Sequence, residues 1–343
     1  MPSGGNVHIR FLVTGAKGEL GVRATAELLA DRGAAAESEE FFRSRPFLDA
    51  EGVTHTLRIE ASDAELLAPL IVRKIPGTEA TDAISPYGYP GIDATGVGHP
   101  MTGSTPAGLV EPGAVDFAPT GLVSLFLRHT LGEPLLASAT ERNVVQIADP
   151  ELPPKRRSSD RNRINKNRRV GYEVELLPGR ETGAEQRAGF LAVYEQTMHR
   201  AAAAERYFFG AAYFDRILES DRAWLALANA PGGGVAAASI AVRSDGFLHY
   251  YLSGSAEAHL HDSPMKNVVA ALVELSAEQG LPLNLGGGLS RGDQLEEFKR
   301  GFANREAPWR CSEIVCDREA YDRLSAGSQS GGGFFPAYRA RRS

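Results

Sequence analysis

Three stretches of this 343-residue chain set residues in patterns that do chemistry. The first is FLVTGAKGELG, residues 11–21, where an apolar run meets Gly15, Gly18 and Gly21. A strand entering a glycine turn at a helix N-terminus is how a dinucleotide pyrophosphate is held, and VRATAELLADRG has the composition of that helix. The context argues against the reading. A nicotinamide-binding unit needs a second strand soon afterwards, ending near an acid for the ribose, and AAAESEEFF stands there instead. The second stretch is PKRRSSDRNRINKNRRVG, residues 154–171. It sets Lys155, Arg156, Arg157, Arg161, Arg163, Lys166, Arg168 and Arg169 against one acid, Asp160. On a chain of net charge −6 such a local field draws a polyanion to one face; a solvated helix face is the competing reading. The third is LGGGLSRGDQLEEFKRGF. Gly286, Gly287 and Gly288 let another group approach the backbone closely, or simply make a turn. Asp293 opens a helix as its cap, or orients a substrate amine.

Other candidates are weaker. His249, His259 and His261 lack a carboxylate at ligand spacing, so no metal site is expected. Cys311 and Cys316 have no second Cys or His pair near them and read as reduced, structural thiols. No apolar run reaches ~18 residues and MPSGGNVHIR lacks the apolar stretch of a leader, so no membrane insertion and a cytoplasmic location are expected.

The elements that must position these residues are clearer in the second half. THTLRIEA (54–61) and LAPLIVRKI (67–75) read as strands, ISPYGYPGID (84–93) as a rigid loop carrying Tyr87 and Tyr89, and NVVQIADP (143–150) as a short strand. After the basic run come a strand at 171–177, a long helix at 185–205, and a short helix around AYFDRILES. Strands at 223–230, 235–244 and 247–255 follow. Met265, Val268, Val269, Leu272 and Leu275 form one helical stripe that Gly280 ends.

This order of helix, antiparallel strands, strand, loop and helix resembles the GNAT acyltransferase fold. In that fold a Q/R-x-x-G-x-G/A loop after the fourth strand holds the pyrophosphate of coenzyme A on backbone N–H groups. The equivalent loop here, SGSAEAHLHDSPMKN, lacks the glycines and holds Asp262 and Pro264. SSDRNRINKNRRVGYEVE, FLAVYEQTMHRAAAAERYFFGAAYFDRIL, YYLSGS and LGGGLSRGDQLEEFKRGF, with PYGYPG as a weaker match, resemble the Fem family. These are aminoacyl-tRNA-dependent transferases of peptidoglycan precursors, with relatives that modify small natural products.

The resemblance implies an α/β fold with mixed sheets: two tandem GNAT-like domains, 1–154 completed by 317–343 and 155–316 carrying the transfer site, with no coiled-coil arm. It implies transfer of an aminoacyl group from charged tRNA to an amine of a peptidoglycan precursor or a small natural-product intermediate. Aminoacyl-tRNA is then a co-substrate and no cofactor is needed. Lys299 matches the lysine that the family places near the acyl-tRNA terminus, with Phe298 and Phe302 as its anchors. Arg206 and Tyr213 fall near where relatives grip the acceptor, though at a different spacing. Leu252 stands where some relatives carry a tyrosine that contacts the nucleotide sugar. Tyr87 and Tyr89 would line the cleft between domains or form a structural loop. Arg161, Arg163, Lys166, Arg168 and Arg169 would bind the tRNA backbone. An acyl-CoA-dependent N-acyltransferase and a non-catalytic RNA-binding module on the same fold are the alternatives.

Overall fold

The computed structural model describes residues 24–61, 64–95, 112–132, 134–155, 157–328 and 334–340. Gly15, Gly18, Gly21 and Arg156 lie outside the described residues. The chain divides into two compact units, one with residues up to 37, 52–141 and 310 onward, the other with 38–51 and 142–309.

The first unit is built on β1 (Ala24–Leu29), β2 (His55–Ala61), β3 (Ala64–Lys74), β4 (Thr81–Ile84), β5 (Asp93–Thr95), β6 (Val115–Asp116) and β7 (Leu122–Arg128). β1, β2, β3 and β4 pair antiparallel in turn, and β5 also pairs with β3. β6 joins β1 and β7 joins β4 in parallel. The expected helix after the N-terminal glycines is thus a strand over Ala24–Leu29. Ala, Glu and Leu favour a helix by propensity, but Ala24, Ala26 and Leu28 fall on one face at period two and join the unit's core. The two-sided pairing then decides the conformation.

The second unit adds α1 (Arg45–Ala50), β8 (Thr140–Ala148), α2 (Ser158–Arg169), β9 (Glu173–Pro178), α3 (Ala184–Arg200), α4 (Ala211–Leu218), β10 (Ala223–Asn229), β11 (Val235–Ser244), β12 (Phe247–Ser255), α5 (Met265–Gln279), β13 (Leu283–Asn284), α6 (Gln294–Arg300) and β14 (Arg305–Val315). Its sheet runs β8-β13-β12-β11-β10-β9. β9 to β12 are antiparallel, and β13 lies parallel to β12 after the α5 crossover. The α5 stripe Val268, Val269, Leu272 and Leu275 packs on Ala226, Ala228, Ala237 and Ala241, small residues that let the helix sit close to the sheet. No described helix is longer than the 17 residues of α3, and none is long and apolar enough to cross a membrane. After Trp309 the chain returns to the first unit, where the end of β14 pairs with β7 and α7 (Arg318–Ser325) follows.

The C-terminal residues join the first unit, as in the expected division into 1–154 with 317–343 and 155–316, but the bounds of the compact units fall elsewhere. β8 is a strand of the second sheet, bonded through Ile147 and Ala148 to β13. Residues 38–51 also belong there, because Phe42 packs edge-on against His249 and Tyr251. Cys311 and Cys316 are both free thiols, Cys311 buried.

Candidate active site

The site grows from the short strand β13. Asn284 is buried, takes the Gly286 N–H on its Oδ1 at 2.8 Å, and sets its Nδ2 3.0 Å from His249 Nδ1. The chain then leaves the sheet through three glycines, Gly286 turning at φ 75°. All three of their carbonyls are held. The Gln146 N–H donates to Gly286 O at 3.1 Å, Lys299 Nζ to Gly287 O at 2.6 Å, and Asn143 Nδ2 to Gly288 O at 3.0 Å. A Cβ at Gly287 would stand 2.6 Å from Val144 O, and one at Gly288 2.3 Å from Asp293 Oδ1. The glycines thus serve close approach, and what approaches them is the protein's own β8 and α6.

Asp293 caps α6. Its Oδ1 takes the Glu296 N–H at 2.8 Å and its Oδ2 the Leu289 and Ser290 N–H groups at 2.6 and 3.0 Å. These bonds, the one from Glu296 foremost, hold its carboxyl below the usual range. On the same helix Phe298 and Phe302 pack 5.8 Å apart against the α5 core, which places the anchors as expected. Lys299 lies between them in sequence and is only 8% exposed. Burial lowers its ammonium to about 8, with Asp293 pulling the other way. An ammonium has three N–H donors; among the described residues only Gly287 O accepts one.

The basic run forms α2, and α2 packs on α6. A Cβ at Gly301 would stand 2.6 Å from Asp160 Oδ2, so the glycine of FKRGF admits a buried carboxylate that also holds Lys266 Nζ at 2.6 Å. Arg157 donates to Glu297 at 2.6 Å. Asp160, Ile164 and Asn167 form the buried face of α2. Arg161, Lys166 and Arg169 fall within an arc of about 140° on the opposite side; they are exposed and have no carboxylate within 4.0 Å among the described residues. Arg163 and Arg168 instead lie 3.7 Å from Asp262 and Glu274. The five cations grouped in the sequence are therefore two kinds, three open and two balanced by the fold.

The other candidates are placed elsewhere. Tyr213 is buried, its ring stacked on Phe209 at 4.1 Å and its hydroxyl bonded to Glu51 and Tyr251 at 2.8 Å each. Burial pushes its phenol well above its usual value. Arg206 is exposed, with its guanidinium 4.9 Å from the Tyr207 ring. Tyr87 and Tyr89 belong to the first unit, Tyr87 beside the Arg128 guanidinium. Leu252 is buried. His249 is wholly inside, bonded to Ser244 O and Asn284, and burial lowers it to about 4. Between β12 and α5, Asp262 accepts from the Tyr172 hydroxyl at 2.9 Å and lies 3.0 Å from His261 Nε2. Asn284 reaches the turn locally, two residues before Gly286, whereas Asn143 carries no sequence signal and only the pairing of β8 with β13 brings it there.

Residues 154–300, which fall inside the second unit and run through Lys299, match the family model described as an acetyltransferase (GNAT) domain. The likeness to a GNAT acyltransferase domain thus covers most of the second unit. No curated protein matches the sequence. Among solved structures, FemX is 10% identical over 78% of this chain and 89% of its own, with a TM-score of 0.51. The C-terminal domain of an Agrobacterium fabrum protein, provisionally named a lysylphosphatidylglycerol synthetase, is 15% identical over 85% of this chain and 92% of its own, with a TM-score of 0.53. At these identities the likeness is one of fold. The Fem-like architecture expected from the sequence is thus present, and the GNAT domain makes the protein an acyltransferase.

Proposed function

We propose that the protein transfers an aminoacyl group from charged tRNA to the amine of a peptidoglycan precursor or a small natural-product intermediate. The observation that carries this reading is the Lys299 ammonium, buried at the glycine turn with one of its three donors used among the described residues. Aminoacyl-tRNA already holds an activated ester. The acceptor amine attacks the ester carbonyl, the C–N bond forms, and the carbonyl oxygen takes the negative charge. The intermediate then expels the ribose oxygen, which leaves with the proton lost by the amine. A fixed cation beside the oxyanion lowers the barrier to the first step. Co-binding of the two substrates supplies most of the rest.

Two features favour tRNA over coenzyme A as the donor. The open cations of α2 suit a phosphate backbone. The β12–α5 loop sets the Asp262 carboxylate where a diphosphate would need donors. FemX supports the reading by fold. Incubation with a pool of labelled aminoacyl-tRNAs and candidate amines should move label from tRNA into an amide. Lys299→Ala should slow that step by roughly 10²-fold. Turnover with acetyl-CoA and none with any charged tRNA would establish the CoA-dependent alternative instead.

A further inference from the structure

We propose that Asn143 is a positioning residue for Lys299, acting through the peptide that joins Gly287 to Gly288; the proposal rests on the role given to Lys299 above. The hydrogen bond from Nζ to Gly287 O sets where the charge of Lys299 stands. That carbonyl is part of one peptide plane, so its direction follows from the planes on either side. The plane before it is pinned at Gly286 O by the main-chain N–H of Gln146. The plane after it is pinned at both ends, Gly288 O by Asn143 Nδ2 at 3.0 Å and the Leu289 N–H by Asp293 at 2.6 Å.

Of these supports, Asn143 is the side chain that can be removed cleanly. The Gln146 bond is backbone, and Asp293 also caps α6. Asn143 accepts the Val144 N–H on its own Oδ1 at 2.8 Å, which orients the carboxamide so that its NH2 meets Gly288. The approach is close: a Cβ at Gly287 would lie 2.7 Å from Asn143 Nδ2. The glycine at 287 and the asparagine at 143 are two halves of one device. Asn143 carries no charge, so its effect on Lys299 is geometric. The charged groups around the turn have other duties. Asp293 caps α6, Glu296 takes the Gly292 N–H and pairs with Arg300, and Glu306 of β14 takes Gln146 Nε2.

The test uses Asn143→Ala, Asn143→Leu, which is uncharged and of similar size, and Asn143→Gln, which keeps the amide at longer reach. The first readout is the titration of the Lys299 side chain by 13C NMR on the protein alone, its resonance identified by its absence from Lys299→Met. Loss of the clamp admits water to Nζ, so the midpoint should rise by about one unit in Asn143→Ala and Asn143→Leu. Asn143→Gln should return part of the way. The second readout is transfer from charged tRNA. kcat should fall about 10-fold with KM for tRNA unchanged, and Asn143→Ala should cost nothing further in the Lys299→Met background. An unmoved Lys299 midpoint in both Asn143→Ala and Asn143→Leu, or an equal loss of rate with and without Lys299, overturns the proposal. Should Asn143→Ala fail to fold, Asn143→Leu carries the test. If Lys299→Ala transfers at the wild-type rate, the functional reading falls, and the NMR midpoint by itself still decides whether Asn143 positions the lysine.

Discussion

In the proposed mechanism Lys299 concentrates the chemistry and the cost of the site in one side chain. Its pKa of about 8 lies below the unfolded value of 10.5 because the ammonium is buried. Below pH 8 the lysine is charged in both states, and the folded state bears a penalty on the order of 3 kcal/mol. Between 8 and 10.5 the unfolded chain holds the proton and the folded one does not, so stability rises with pH across that window. Lys299→Met should therefore leave the urea midpoint at pH 7 unchanged or raised, while abolishing most transfer. A large fall in that midpoint would mark Lys299 as structural. Catalysis has the opposite sign: the cation is lost as pH rises through about 8, so the transfer rate should show a descending limb there. Lys299→Arg, whose charge does not titrate, should lose that limb while recovering only part of the rate. A wild-type rate that keeps climbing to pH 10 would remove the cation from the mechanism.

At the scale of elements, α2, which carries the basic face, meets α6, which carries Lys299. The buried side of this joint is Asp160 against Gly301. Gly301→Ala must displace the buried Asp160 carboxylate and should destabilise the unit by about 1–3 kcal/mol, read from urea unfolding followed by tryptophan fluorescence. Its exposed side carries Arg161, Lys166 and Arg169. Replacing all three with Gln should weaken tRNA binding and reduce the slope of log K against log salt by about two to three, one released counterion for each lost phosphate contact. Replacing Arg163 and Arg168 should change the slope much less, since carboxylates already balance them. Equal effects of the two sets would mean that the partition seen on the helix does not hold in the complex.

At the scale of the whole molecule, each unit buries one histidine among the described residues, His129 and His249, and these should contribute to the acid limit of stability. Burial lowers His249 in the second unit to about 4, and burial with Arg310 nearby does the same to His129 in the first. Both unfolded values are near 6.5. Between pH 6.5 and 4 the unfolded state binds more protons, so stability falls as pH falls through that window, by up to roughly 3 kcal/mol for each histidine. Trp224 and Trp309 are the chain's two tryptophans and both lie in the second unit, so their fluorescence follows His249. His249→Gln should flatten the pH dependence of the fluorescence midpoint between 6.5 and 4. The same slope in wild type and variant would assign the acid limb to carboxylates.

The sequence by itself determined the parts of the protein whose cause is local. The strands at 223–230, 235–244 and 247–255 are legible because each is an apolar run between turn residues, and α5 because its stripe repeats at helical spacing and Gly280 ends it at φ 65°. Asp293 as a cap and Phe298 and Phe302 as anchors are legible for the same reason, since their partners lie within the same short segment or on the core face of one helix. The tertiary structure decided what depends on distant partners. Ala24–Leu29 is a strand because β2 and β6 flank it, against its own propensity. Residues 38–51 join the second unit because their phenylalanines find Tyr251 and His249 some two hundred positions away. Tyr213 has its hydroxyl held by Glu51, 162 positions away, and by Tyr251. The clamp on the glycine turn exists only once β8 lies beside β13. Asn143 and Gly288 are then hydrogen-bonded across 145 residues of chain, a separation at which neither residue's local sequence carries information about the other.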